Sequence, residues 1–255
     1  MDTDSTMSLV FIQGITTLVA TEARIMTRNM VNLPSARLFL LEMLATFQLC
    51  TCFMVLHPMA DIDPKPQLYL AHIYSFMAVH FYLTLNESTS NPASTLVCII
   101  RKGDSMRIGL LKIAAQFLGA FLARIYQNFL WSMRISSLFT DPVVCGNPLQ
   151  TGLLKAFFTE LISSITFQLS LLESQMQELR IRANMLSFAT TSLIYAGGHL
   201  TGAIFNPALA FSMHLSCFSE KFWNYILVYW IAPCIGSVLV VIAWDEVLPL
   251  LRREM

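Results

Sequence analysis

Charge is scarce in this chain. Asp, Glu, Lys and Arg make up 13% of its 255 residues, and 55% are hydrophobic. A soluble domain carries about 25% charged residues. The 16 basic and 16 acidic residues cancel, and no basic tract stands out, so a nucleic-acid partner is excluded. The six cysteines include no Cys-x-x-Cys pair; the one close pair, Cys50 and Cys52, lies inside an apolar segment, which argues against a structural zinc site. The five histidines are dispersed, and no apolar segment gathers His, Cys and carboxylates as a membrane enzyme would need. No catalytic residue, metal or cofactor is therefore expected. The start, Met1-Asp2-Thr3-Asp4, lacks the basic region and small-residue cleavage site of a signal peptide, so insertion through an uncleaved apolar segment is expected.

What is abundant is apolar sequence, with a mean hydropathy of +0.60. The length allows about six or seven spans of ~20 residues. Residues 38–57, 68–85, 108–131, 153–173, 184–200 and 222–244 read as spans. Residues 8–21 are apolar but short, and stay open between a tilted span, an interfacial helix and a re-entrant piece. Two of the spans contain a carboxylate, Glu42 and Glu160, and a carboxylate in hydrocarbon needs a partner. The Met and Phe residues in the spans read as packing or lipid contact.

Two apolar stretches are interrupted by the same tripeptide, Asn91-Pro92-Ala93 and Asn206-Pro207-Ala208. Asn is a preferred N-cap and Pro is favoured at the first helical position. Each tripeptide therefore reads as the start of a short helix, over residues 92–100 and 206–216. Such a break in a membrane chain is tolerated where the backbone is buried in protein or lines a watery cavity. The order is the same in both halves: span with Glu, span, broken loop, short helix, span. An odd number of spans per half sets the halves in opposite orientations, the inverted-repeat arrangement with a site at the bilayer midplane. The positive-inside rule agrees. Arg24, Arg28, Arg37, Arg101, Lys102, Arg107, Arg180, Arg182, Arg252 and Arg253 fall on one side, the cytoplasmic one; Lys65, Arg134, Lys155 and Lys221 fall on the other. The sequon Asn86-Glu87-Ser88 then lies on the cytoplasmic side, wrong for glycosylation.

The two boxes, with Ala115-Gln116-Phe117-Leu118-Gly119-Ala120 and Val228-Tyr229-Trp230-Ile231-Ala232-Pro233-Cys234-Ile235-Gly236, resemble the aquaporins, or major intrinsic proteins, over roughly residues 36–246. The stretch Leu41–Cys50, Ala196-Gly197-Gly198, the segment from Thr201 to Ala210, and Cys217 are most similar to the divergent intracellular branch of that family. An intact first box departs from that branch, where it is usually altered. The resemblance implies an all-α membrane protein: six transmembrane helices and two re-entrant half-helices in an inverted repeat, with an extra N-terminal hydrophobic segment. It divides the chain into an N-terminal segment (1–35), a channel domain (36–246, halves 36–131 and 150–246) and a tail (247–255).

The resemblance also implies a function. Two helix N-termini, each carrying about half a positive charge, would face one point and repel cations. The amides of Asn91 and Asn206 would donate to a passing water. Glu42 and Glu160 would accept hydrogen bonds from the non-helical backbone before each half-helix. The expected activity is passive passage of water and small neutral solutes. The alternative is a poorly conducting, channel-like protein with a structural or organellar role. Ordinary water channels have an arginine where this chain has Leu209. The other filter positions fall at Ala203, near Ile194 and near Ala71. An apolar filter makes glycerol and hydrogen peroxide plausible permeants. His199 is placed in the loop before the second half-helix. Cys217 is a structural cysteine of the branch, and Cys145 is its one candidate disulfide partner. A homotetramer in the lipid bilayer is implied, in the endoplasmic reticulum membrane, with the plasma membrane as the second location.

Overall fold

A computed structural model describes residues 3–62, 67–133, 149–214 and 222–253. Among these residues the chain is all helical. In order come α1 (Thr3–Met30), α2 (Pro34–Ile62), α3 (Gln67–Thr84), the short α4 (Pro92–Ile100) and α5 (Met106–Ser132). The second half holds α6 (Leu153–Glu173), α7 (Leu179–Thr201) and the short α8 (Pro207–His214). A final rod joins α9 (Phe222–Ile226), α10 (Ala232–Ile242) and α11 (Leu248–Arg253) through π-turns at Leu227–Ile231 and Ala243–Val247. The first π-turn sits just before Pro233, which has no N–H to continue the ladder; the Pro233 carbonyl accepts from Ser164 Oγ of α6 at 2.8 Å.

Four of the described helical stretches are long and apolar enough to cross a membrane: Thr6–Met30, Pro34–Ala60, Met106–Ser132 and Phe222–Leu250. The three other long helices, α3, α6 and α7, carry polar residues that they turn inward, including His80, Gln168 and Thr190. The N-terminal element is therefore longer than the 8–21 stretch suggested. Its polar end is helical as well: Arg24, read as a flanking charge, is 1% exposed within α1. Arg28 of the same helix pairs with Glu87 of the loop before α4. The sequon there is structural, since Ser88 Oγ donates to Glu42 Oε1.

The inverted repeat is visible in the packing. α2 packs on α5, and α6 on α10, so the first and third long helices pair within each half. α3 packs on α7, joining the second helices across the halves, while the two short helices touch each other. The within-half pairs approach at equivalent glycines. A Cβ at Gly119 would lie 2.4 Å from the Met43 carbonyl oxygen, and one at Gly236 would lie 2.9 Å from that of Leu161. Met43 and Leu161 follow Glu42 and Glu160, so each glycine lets its helix close over the turn that carries the buried carboxylate. Gly119→Ala is expected to destabilise the protein by about 1–3 kcal/mol, outweighing the gain of about 1 kcal/mol in helix propensity. Gly236→Ala, with the looser contact, is expected to cost less. Thermal unfolding of the two variants in detergent ranks them.

Candidate functional site

Each short helix begins as the local chemistry dictates. Asn91 caps α4 in an extended conformation, its Oδ1 accepting from Ala93 N at 2.9 Å, with Pro92 at the first turn. Asn206 does the same for α8, accepting from Ala208 N at 3.0 Å and Leu209 N at 3.3 Å. Pro207 and Ala208 are buried, as are Pro92 and Ala93.

The loops leading into the caps are held by the two carboxylates, both fully buried. Glu42 Oε1 accepts from Thr89 N at 3.1 Å, Thr89 Oγ1 at 3.1 Å, Ser90 N at 2.7 Å and Gln116 Nε2 at 2.7 Å. Glu160 accepts from Thr201 Oγ1 at 2.6 Å and Ile204 N at 3.1 Å through Oε1, and from Phe205 N at 2.6 Å through Oε2. These bonds stabilise backbone that is otherwise unfavourable. Ser90 (φ 49°) and Phe205 (φ 36°), each immediately before its asparagine, are left-handed without being glycine. Such a conformation costs about 1–3 kcal/mol per residue. Gly202 (φ 88°) closes α7 where the chain must turn toward this loop, and there glycine is the residue that fits.

The two halves then meet at the asparagines. Asn91 Nδ2 donates to Phe205 O at 3.2 Å, and Asn206 Nδ2 donates to Ser90 O at 2.9 Å. Each amide thus bonds the carbonyl just before the opposite asparagine. An amide NH2 has two hydrogens, so each asparagine keeps a second donor, and both side chains line one cavity. That cavity has a volume of about 990 Å³. Its lining runs from Gln175 and Arg182 near the start of α7, past the asparagines, to His57 and Trp131 at the far ends of α2 and α5. On the Arg182 side the walls include the rings of Phe81, Phe167 and Phe205, whose centroids are spaced 6.1 and 5.1 Å apart in sequence.

Of the filter positions named from sequence, Leu209, Ala203 and Ile194 line this cavity and are 4%, 2% and 7% exposed. Ala71 does not: it lies on the exposed face of α3, and its neighbour Leu70 reaches the cavity instead. Helical phase explains the difference, because Leu70, Met77, Phe81 and Thr84 follow one face at helical spacing and Ala71 is one residue off it. His199 also differs from expectation. It stands in the last turn of α7, not in the loop, and is exposed at the cavity's edge. Cys145 and Cys217 lie outside the described residues.

Sequence reading missed one group of residues entirely. Arg124 and Gln127 of α5, 6% and 3% exposed, line the cavity together with His57 and His214. The available signal was a lone arginine in the middle of the 108–131 span, which marks an inward-facing functional position by default. Among the described residues, no three His, Cys, Asp or Glu side chains come together as metal ligands would.

Comparison with known proteins agrees with this architecture. Residues 70–244 match the family model of the major intrinsic proteins. Aquaporin-11 of Homo sapiens is 37% identical over 251 residues, which is 97% of this chain and 90% of that protein. Aquaporin-12 of Mus musculus is 29% identical over 216 residues, 81% of this chain and 74% of its own. The X-ray structure of the aquaglyceroporin from Plasmodium falciparum shares the fold, with a TM-score of 0.71 at 20% identity, covering 85% of this chain and 98% of that one. With the family model spanning most of the chain and relatives this similar over nearly all of it, the chain belongs to the major intrinsic protein, or aquaporin, family.

Proposed function

We propose that the protein conducts water and small neutral solutes passively along the cavity that passes Asn91 and Asn206. Its family is one of channels rather than enzymes. The observation that carries the reading is the reciprocal pairing of the asparagine amides with Ser90 O and Phe205 O inside one cavity. That pairing leaves a donor on each side for a solute oxygen, with two helix N-termini behind it. A cation there would lose hydration against positive dipole ends. A hydroxyl or water oxygen would gain two hydrogen bonds.

The walls at Leu209, Ala203 and Ile194 are apolar, which favours solutes with some carbon surface or weak hydration. Glycerol and hydrogen peroxide therefore join water as proposed permeants. Buried carboxylates Glu42 and Glu160 act as scaffold acceptors, and the channel unit is residues 36–246. A homotetramer in the endoplasmic reticulum membrane is the proposed setting, on the strength of the similarity to the intracellular branch. Stopped-flow light scattering of proteoliposomes tests the activity. Water and glycerol rates several-fold above those of empty vesicles are expected, with both lost in Asn206→Leu. Rates equal to empty vesicles would instead favour the poorly conducting, structural alternative.

A further inference from the structure

We infer that Ser94, held by Gln168, is a specificity-determining contact on the Arg182 side of the asparagines, and that it favours small solutes whose hydroxyls both donate and accept hydrogen bonds; this rests on the channel reading above. Ser94 stands three residues after Asn91, as Leu209 stands three after Asn206. The inverted repeat therefore sets the two at matching places, one turn into α4 and one turn into α8. Both are buried, at 1% and 4% exposed, and both line the cavity. Their chemistry is opposite. Leu209 brings an apolar side chain, whereas Ser94 brings a hydroxyl whose oxygen accepts from Gln168 Nε2 at 2.9 Å. Gln168 follows Phe167 in α6, which puts Ser94 on the side of the wall formed by Phe81, Phe167 and Phe205.

Two observations make this serine a solute contact rather than an ordinary polar residue of a first turn. The first is that neighbouring hydroxyls of the lining are engaged as donors. Thr84 donates to His80 O, Ser88 and Thr89 donate to Glu42, and Thr201 donates to Glu160. Ser94 is bonded as an acceptor instead, which leaves its own hydrogen for a solute oxygen. The second is the state of Gln168. It is 0% exposed, and its Oε1 has no hydrogen-bond partner among the described residues. A buried amide oxygen without a donor is unfavourable, and an amide held at one end only is free to turn over. Turned, Oε1 accepts from the Ser94 hydroxyl, and the serine oxygen then accepts from a solute. The pair thus presents a donor in one sense and an acceptor in the other, with no charge in either. A water passing Ser94 keeps bonds to the waters before and after it. A polyol fills the section with carbon and has no replacement for the bond to Ser94.

Glycerol and water permeabilities are measured in liposomes containing the full-length protein. Ser94→Ala separates bore from bonding, because the smaller side chain widens the passage while the donor is lost. Glycerol is expected to slow about fivefold, the worth of one neutral hydrogen bond, while water changes less than about twofold. Gln168→Leu keeps the hydroxyl and removes its partner, and is expected to slow glycerol about twofold. The double variant is expected to match Ser94→Ala alone, because Gln168 acts through Ser94. Faster glycerol in Ser94→Ala would show that the residue sets only the bore and would overturn the proposal. An unchanged ratio of glycerol to water in Ser94→Ala would overturn the role of Ser94 and leave the channel reading standing. If Ser94→Ala fails to fold, an unchanged ratio in Gln168→Leu overturns the proposal in its place. Absence of water and glycerol flux in the wild type would overturn both readings.

Discussion

Glu160→Gln is expected to destabilise the protein by about 1.5–3 kcal/mol, the worth of one hydrogen bond to a charged acceptor. Glu42→Gln is expected to cost much less. The two positions are equivalent in the repeat, yet their carboxylates are used differently. At Glu160 both oxygens accept backbone N–H groups: Oε1 from Ile204 and Oε2 from Phe205. An amide must turn its NH2 toward one of them in either orientation, leaving a buried N–H facing a donor. At Glu42 the short bonds converge on Oε1, and Oε2 receives only the shared contact from Thr89 N at 3.3 Å. An amide oxygen placed at Oε1 keeps nearly all of them. Glu160→Leu removes every acceptor and leaves two backbone N–H groups and the Thr201 hydroxyl without theirs, so it is expected not to accumulate as folded protein. Unfolding midpoints in detergent check the ranking. Equal shifts for the two Gln variants would show that the loops are held by something other than these carboxylates.

Leu209→Arg is expected to reduce glycerol permeability by about tenfold relative to water. The side chain of Leu209 lines the cavity and packs in the main apolar cluster with Phe53, Ile194 and Ala208. Its backbone N–H is fixed by Asn206 Oδ1, so the substituted side chain leaves from the same place. An arginine there is longer, carries five donors, and adds a third guanidinium to the cavity that Arg124 and Arg182 already line. The passage becomes narrower and more strongly hydrated, which penalises a carbon-bearing solute more than water. A fall of about 1.4 kcal/mol in effective binding corresponds to the tenfold change. The added bulk in a packed region is also expected to lower stability by about 1–3 kcal/mol. Glycerol and water slowed in equal proportion would show that residue 209 borders the path without discriminating along it.

The site was legible in unequal parts. The two helix starts were plain because an Asn cap and a Pro at the first turn act within three residues: Asn91 bonds Ala93 N, and Asn206 bonds Ala208 N. Chain order was enough to show the repeat, and α6 falls at the expected 153–173. Register on a featureless apolar helix was not legible. Neighbouring residues differ by about 100° around the axis, so an error of one moved Ala71 off the cavity face and left Leu70 unnamed. The end of α7 was also misplaced. His199 was placed in a loop, yet the helix runs on through it to Thr201 and ends at the left-handed Gly202.

Residue type and order were sufficient for the class of protein. Scarce charge, repeated apolar runs and two Asn-Pro-Ala boxes required a membrane-embedded, all-helical inverted repeat, because these signals are local or periodic along the chain. Packing in three dimensions supplied what makes it one site. The bonds from Asn91 Nδ2 to Phe205 O and from Asn206 Nδ2 to Ser90 O join residues more than a hundred positions apart. No spacing along the chain encodes them. The same holds for Arg124, whose place beside Met213 and His214 arises only when α5 closes against α8.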